Sequence, residues 1–236
     1  MRIFLSFIVI VLIINLGLVK RDPIITIVDI GENNRIELGK QLRIIKKYSP
    51  RVIALDFYLV PDSLDQDTVL VKELATIKNT VQVVGLRDFY KPDYIWDDLE
   101  VSHSKFNVLN HGFGNLTLED SILVKELPMQ QLLNSKYIYS FSYAIAENSF
   151  GVKHKFRDTA DRKLKLKMRG LGMNYKLITS DELLTGKIKK EDLNDKIVIM
   201  GYIGDKEDYF YVDEHKSRKV NGVEVHAAIV DEIIDL

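Results

Sequence analysis

The chain has 236 residues, 46% hydrophobic and 28% charged, with 33 basic side chains against 34 acidic ones and a net charge of −1. Such a composition excludes a disordered chain, and a near-neutral balance leaves no global field for gathering nucleic acid. The absence of cysteine excludes disulfides, thiol nucleophiles and thiolate metal sites.

Taken in order, the chain begins with Ile3 to Val19, IFLSFIVIVLIINLGLV, in which only Ser6 and Asn15 are polar and nothing is charged. As a helix this run is about 26 Å long, close to the ~30 Å hydrocarbon core of a bilayer. No pair of small residues marks a cleavage site, so the expectation is an uncleaved membrane anchor over residues 1–21. Arg2 on one side and Lys20 and Arg21 on the other leave its orientation undecided by charge. A second unit, residues 22–236, follows with almost no linker after Asp22-Pro23.

Ile24 to Ile30 is an apolar, β-branched run that predicts a buried strand. Arg35 to Tyr48 places Leu38, Leu42 and Ile45 on one helical face and stops before Ser49-Pro50. Arg51 to Phe57 predicts a second buried strand, Thr68 to Asn79 a second helix with Leu70, Leu74 and Ile77 inward, and Val81 to Leu86 a third strand. Strand, helix, strand, helix, strand at this spacing is a parallel α/β unit. From Tyr90 to Asn110 the pattern is irregular. Gly112 to Leu118 and Ile122 to Leu127 then predict two short strands about a Glu119-Asp120-Ser121 turn.

Tyr137 to Phe150 predicts a helix closed by Gly151, with Phe141, Ala144, Ile145 and Asn148 on one side. Lys163 to Arg169 alternates strictly between charged and apolar residues, as a half-buried strand with one wet face does. Thr179 and Glu182 have capping-box spacing before a short helix stopped by Gly186. Last come a strand from Lys196 to Met200, a loop of about twenty residues, and a closing helix with Val225, Ile229, Val230, Ile233 and Ile234 at helical spacing. The fold class expected is therefore α/β, a mainly parallel sheet flanked by helices with an inserted antiparallel region, preceded by a transmembrane helix.

The chemistry-bearing residues gather at the strand ends. Asp29 closes the first strand and Asp56 the second, and carboxylates at the C-terminal edge of a parallel sheet sit where such folds bind ligands. The terminal strand ends at Gly201, its loop brings Asp208, and Glu224 and His226 start the closing helix. Together Asp29, Asp56, Asp208, Glu224 and His226 would suit a hard metal ion or a cationic ligand. The plainer reading is that Asp29 and Asp56 cap the turns that follow them, and that His226 is a hydrogen-bonded histidine at a helix start. Gly201-Tyr202-Ile203-Gly204 lacks the Lys-Ser/Thr of a phosphate loop. Tyr209, Phe210 and Tyr211 line a pocket or pack their loop down. No hydrolase or metalloprotease signature is present.

The series ITIVDI, VIALDF, GFGNLTLED, DKIVIMGYIGDKED and VNGVEVHAAIVDEII resembles the second type of CHASE domain, the sensory extracellular domains associated with cyclases and histidine kinases. The likeness runs from about Ile24 to Leu236, and is most specific in Lys196 to Gly201, Asp208 and Gly222 to Ala227. It departs at Asn33 to Gly39, at Lys125 and at Tyr202-Ile203. The resemblance implies an extracytoplasmic sensor on a membrane anchor, N-terminus inside and domain outside. Such a domain binds a small-molecule or protein signal and has no catalysis or cofactor of its own. Its partners would be the membrane, the signal and, as an option left open, a second copy of the chain. A membrane-tethered, metal-assisted hydrolase using Asp29, Asp56, Asp208 and His226, and an envelope scaffold, are the alternatives.

Overall fold

The computed structural model describes residues 24–235 apart from 33, 62–66, 91–94, 107, 109, 117, 120–121, 124–125, 135, 152–162, 166–170, 172–174, 205–208 and 213–214. Its centre is a sheet whose inner strands are short and largely apolar. β1 (Ile25–Asp29), β2 (Val52–Asp56), β3 (Thr80–Tyr90), β4 (Ile95–Glu100) and β5 (Asn110–Phe113) come first. The short strands β6 (Leu118–Glu119), β7 (Ile122–Leu123), β8 (Glu126–Pro128), β9 (Gln130–Leu133), β10 (Lys136–Tyr139) and β11 (Lys163–Lys165) follow. Then come β12 (Lys176–Ile178), β13 (Ile197–Gly201), β14 (Tyr209–Tyr211) and β15 (Lys219–Asn221). The helices are α1 (Arg35–Lys47), α2 (Asp67–Leu74), α3 (Phe141–Phe150), α4 (Ser180–Leu184), α5 (Lys190–Leu193) and α6 (Gly222–Ile234).

Across the sheet β5, β3, β2, β13, β1 and β12 lie side by side and all run parallel. The last long strand in sequence is thus inserted between the first two, with Asp29, Gly201 and Asp56 in register across three neighbours. Each strand alternates its apolar side chains between two faces, because successive residues of a strand point opposite ways. Val28, Ile53, Leu55, Val198 and Met200 meet α1 and α2 on one side through Leu38, Leu42, Ile45, Leu70 and Leu74. Ile25, Ile27, Val52, Ala54, Ile197 and Ile199 meet α3 and α6 on the other through Phe141, Ile145, Val223, Ala227 and Val230. A strand buried on both faces needs a continuous apolar run, and this is why these segments read so plainly in the sequence.

The antiparallel region grows from β3, whose first half pairs with β2 and β5 and whose second half pairs with β4. Beyond β4 lie β9 and β10. Three expectations are corrected here. Tyr90 to Asn110 is not irregular throughout, since it holds β4 and a 3₁₀ turn at Ser104–Phe106. Gly112 and Phe113 belong to the central sheet beside β3 rather than to a hairpin. Tyr137 to Tyr139 form a strand, and the helix starts after Ser140, whose side chain accepts from the Tyr143 amide. The second helix is also shorter than expected: it ends at Leu74, and Thr76 turns back to hydrogen-bond the Glu73 carbonyl at 2.7 Å.

Other details follow the sequence. Gly151 ends α3 at φ 63°, the left-handed conformation a helix terminus favours in glycine. The Thr179–Glu182 capping box opens α4. Of the alternating Lys163–Arg169 run, only Lys163–Lys165 falls within the described residues, as β11. No helix among the described residues is long and apolar enough to cross a membrane, and the Ile3–Val19 segment lies outside them.

Candidate functional site

The C-terminal edge of the parallel strands opens into a cleft of about 480 Å3, a volume suited to a small ligand. Asp56 from the end of β2, Phe57 and Tyr58 just after it, Tyr202 just after β13 and Phe210 of β14 supply much of its wall. Leu116 and Gly114 come from the segment after β5, and Gly222 and His226 from the first turns of α6. Two glycines make this geometry. A Cβ on Gly201 would stand 3.2 Å from Val223 and 3.3 Å from Asp56, so a side chain there would push α6 away from the sheet. A Cβ on Gly114 would lie 2.4 Å from Val83, and that position also lies 3.7 Å from the His226 ring.

His226 is 5% exposed. Its Nδ1 lies 3.1 Å from Ser142 Oγ of α3, and its ring meets Phe141 edge-on at 5.1 Å. These contacts fix the imidazole so that Nε2 faces Asp56 Oδ1 at 4.0 Å. That separation is too long for a hydrogen bond, and the Asp56 carboxyl accepts no hydrogen bond among the described residues. Burial pushes Asp56 up to about 7, because a charge held away from water without a compensating donor is disfavoured. Beside it, the Tyr58 phenol is pushed up to about 12, by burial first and then by the charges of Glu100 and Asp56. It stays protonated at neutral pH.

The six residues singled out from the sequence part company. Asp56, Gly201 and His226 meet at the cleft or directly under it. Asp29 ties together the loops after β1 and β13: Oδ1 accepts from the Gly31 amide at 3.1 Å and the Ile203 amide at 3.2 Å. Glu224 folds back on its helix start, accepting from Asn221 N at 2.9 Å and Asn221 Nδ2 at 2.7 Å, while Asn221 Oδ1 takes the Gly204 amide at 2.9 Å. Both carboxylates hold the β13 loop and α6 in place, and neither lines the cleft. Asp208 lies outside the described residues. No group of three metal-ligating side chains comes together among the described residues.

Ser142, Gly114 and Leu116, and the aromatic residues Phe57, Tyr58 and Tyr202, escaped the sequence reading. Position was the available signal for three of them: Phe57, Tyr58 and Tyr202 follow directly on parallel strand ends, where side chains reach the rim. Ser142 carries no such mark, since it meets His226 only through the packing of α3 on α6.

A three-layer α/β domain with a ligand-sized cleft at the carboxyl edge of its parallel strands has the architecture in which α/β folds commonly place a ligand site. The family is more definite. A family model described as CHASE2 domain matches residues 14–236, and the chain belongs to that family of sensory extracellular domains. No curated protein and no solved structure matches it.

Proposed function

We propose that this protein is a membrane-anchored, extracytoplasmic sensory domain. It takes up its signal in the cleft between β2, β13 and α6 and has no catalysis of its own. CHASE2 membership supports the sensory role, and the uncharged Ile3–Val19 run supports the anchor, with residues 22–236 as the outward-facing domain. The observation that carries the reading is the placement of α6. Its first turns line the cleft with Gly222 and His226, and the rest of it is packed among α3 and the central sheet through Val223, Ala227 and Val230. A ligand that prefers one position of His226 therefore biases the position of a whole helix, and a signal needs only such a difference in affinity between two states.

The chain has no cysteine, which makes its topology directly measurable. A single cysteine placed at exposed Val60 or at Lys187 should react with a membrane-impermeant maleimide in intact cells. Labelling that appears only after the membrane is permeabilised would overturn the outward orientation.

A further inference from the structure

The rim cleft has a definite chemical character. Four of its lining residues are aromatic, namely Phe57, Tyr58, Tyr202 and Phe210. It has one carboxyl, Asp56, and no lysine or arginine among its described lining residues. The carboxyl is 13% exposed, accepts no hydrogen bond among the described residues, and has its histidine neighbour too far away to donate one. Aromatic faces attract cations through the ring quadrupole, more strongly where water is excluded. A carboxylate with unused acceptor capacity supplies the charged hydrogen bond that an ammonium group requires. The same wall holds the His226 imidazole and Gly222 at the start of α6, but an anion there would also lie against the Asp56 carboxyl and the ring faces.

We infer that the cleft binds a small organic cation, an ammonium group on an apolar or aromatic body, with its charge on Asp56 and its body between the rings. The inference rests on the reading of this cleft as the signal site and adds the class of ligand. Binding carries a proton balance. Below about pH 7 Asp56 holds a proton, so an incoming ammonium displaces one H⁺ from the carboxyl to solvent as the ion pair forms. The groups facing Asp56 are His226 from α6, Tyr58 from the segment after its own strand and, near that phenol, the Arg87–Glu100 ion pair of β3 and β4. Along the rim, β13 contributes uncharged Gly201, and β1 contributes Asp29 with two amides on one carboxylate oxygen. Arg87 and Glu100 offset each other and Tyr58 stays neutral, which leaves Asp56 and the His226 imidazole as the groups the cation meets directly.

The test titrates the full chain calorimetrically with benzylammonium, with its neutral isostere benzyl alcohol and with benzoate, at pH 6, 7 and 8. Benzylammonium should bind at least tenfold tighter than either isostere. Its affinity should rise as pH rises, approaching tenfold per pH unit well below the Asp56 pKa and flattening above it. Asp56→Asn should erase the preference for the cation. Isosteres binding as tightly as the cation, cation binding unchanged in Asp56→Asn, or no heat from any probe overturns the inference. Leu116→Trp, which fills the cleft, separates the two levels. If it abolishes binding of an equally tight isostere, the cleft is a ligand site of another chemistry and only the cation assignment falls. If it leaves all binding intact, the reading of the cleft as the signal site falls as well.

Discussion

Asp67 and Asp56 are both aspartates held out of water, and the protein treats them in opposite ways. Asp67 begins α2 at 2% exposure, with Arg35 at 3.6 Å and Lys105 in direct ion-pair contact. Both cations also lie over the Phe106 ring. Asp56, 13% exposed at the rim, has only His226 at 4.0 Å and is pushed up to about 7. A buried charge with partners at hand fixes how elements sit, here α1, α2 and the 3₁₀ turn. A carboxyl left without a donor stabilises no such arrangement through its charge and keeps its acceptor capacity. The difference assigns Asp67 to the scaffold and suits Asp56 to the proposed site.

Removing each carboxylate should therefore give opposite results. Asp67→Ala leaves Arg35 and Lys105 without their common partner. Because both can turn partly toward water, the expected loss is about 3 kcal/mol, at the low end for breaking a buried pair, read as a lower urea midpoint. Asp56 acts through pH. Its folded pKa lies above the ordinary 3.8, so between about pH 4 and 7 the folded state holds a proton that the unfolded state has lost. Stability from this group is full below about pH 4, declines as pH rises toward 7, and is gone above that. The whole shift corresponds to about 4 kcal/mol, and relaxation around a carboxyl with some access to water reduces the expected slope to about 2 kcal/mol across that window. Asp56→Asn should flatten the urea midpoint between pH 4 and 8. A variant with the native slope would show that another group sets it, and would remove the contrast with Asp67.

How much of this was visible beforehand depends on where the stabilising contacts come from. β1, β2 and β13 are largely apolar because both faces of each are covered, so burial writes itself into four or five consecutive residues. The cap of α4 is equally local, since Thr179 and Glu182 exchange hydrogen bonds three residues apart; the same box at Asn34 and Glu37 opens α1 but was not among the sequence expectations. β4, with the sequence IWDDLE, carries three acids and no clear alternation. It is a strand because β3 is its template and Arg87 pairs with Glu100 across the two, a tertiary effect that overrides local preference. Tyr137 to Tyr139 reads as the start of the helix that follows, although Ser140 is a good N-cap, but belongs to β10. At the site, strand ends could be located but side-chain direction could not. Glu224 does stand at capping-box spacing from Asn221, a signal the sequence reading passed over, whereas no comparable local mark shows that His226 turns to the cleft.

Between the scaffold and the site stands Gly201, in register with Asp56 and under Val223. Gly201→Ala inserts a methyl at 3.2 Å from a β-branched residue on α6, tighter than ordinary contact. The cost expected from this mild overpacking is about 1.5 kcal/mol. Its specific consequence is at His226, one turn along, whose distance from Asp56 should change with the helix. Thermal denaturation gives the first quantity, and the pH slope assigned to Asp56 gives the second. A variant that lost stability with that slope unchanged would separate α6 from the carboxyl.

The smallest effect belongs to Glu224, and it tests the division between cap and ligand. One of its carboxylate oxygens accepts both the Asn221 amide and the Asn221 side-chain amide, and Asn221 in turn holds Gly204. Glu224→Gln keeps the size and one acceptor oxygen but removes the charge, which favours a helix N-terminus. It also exchanges charge-assisted hydrogen bonds for neutral ones. The expected loss is about 0.5–1 kcal/mol in urea denaturation. The tenfold preference for benzylammonium should survive, because this carboxylate does not line the cleft. If Glu224→Gln instead abolished that preference at unchanged stability, the cation would be held by the helix start rather than by Asp56, and the contrast between the two buried aspartates would lose its functional half.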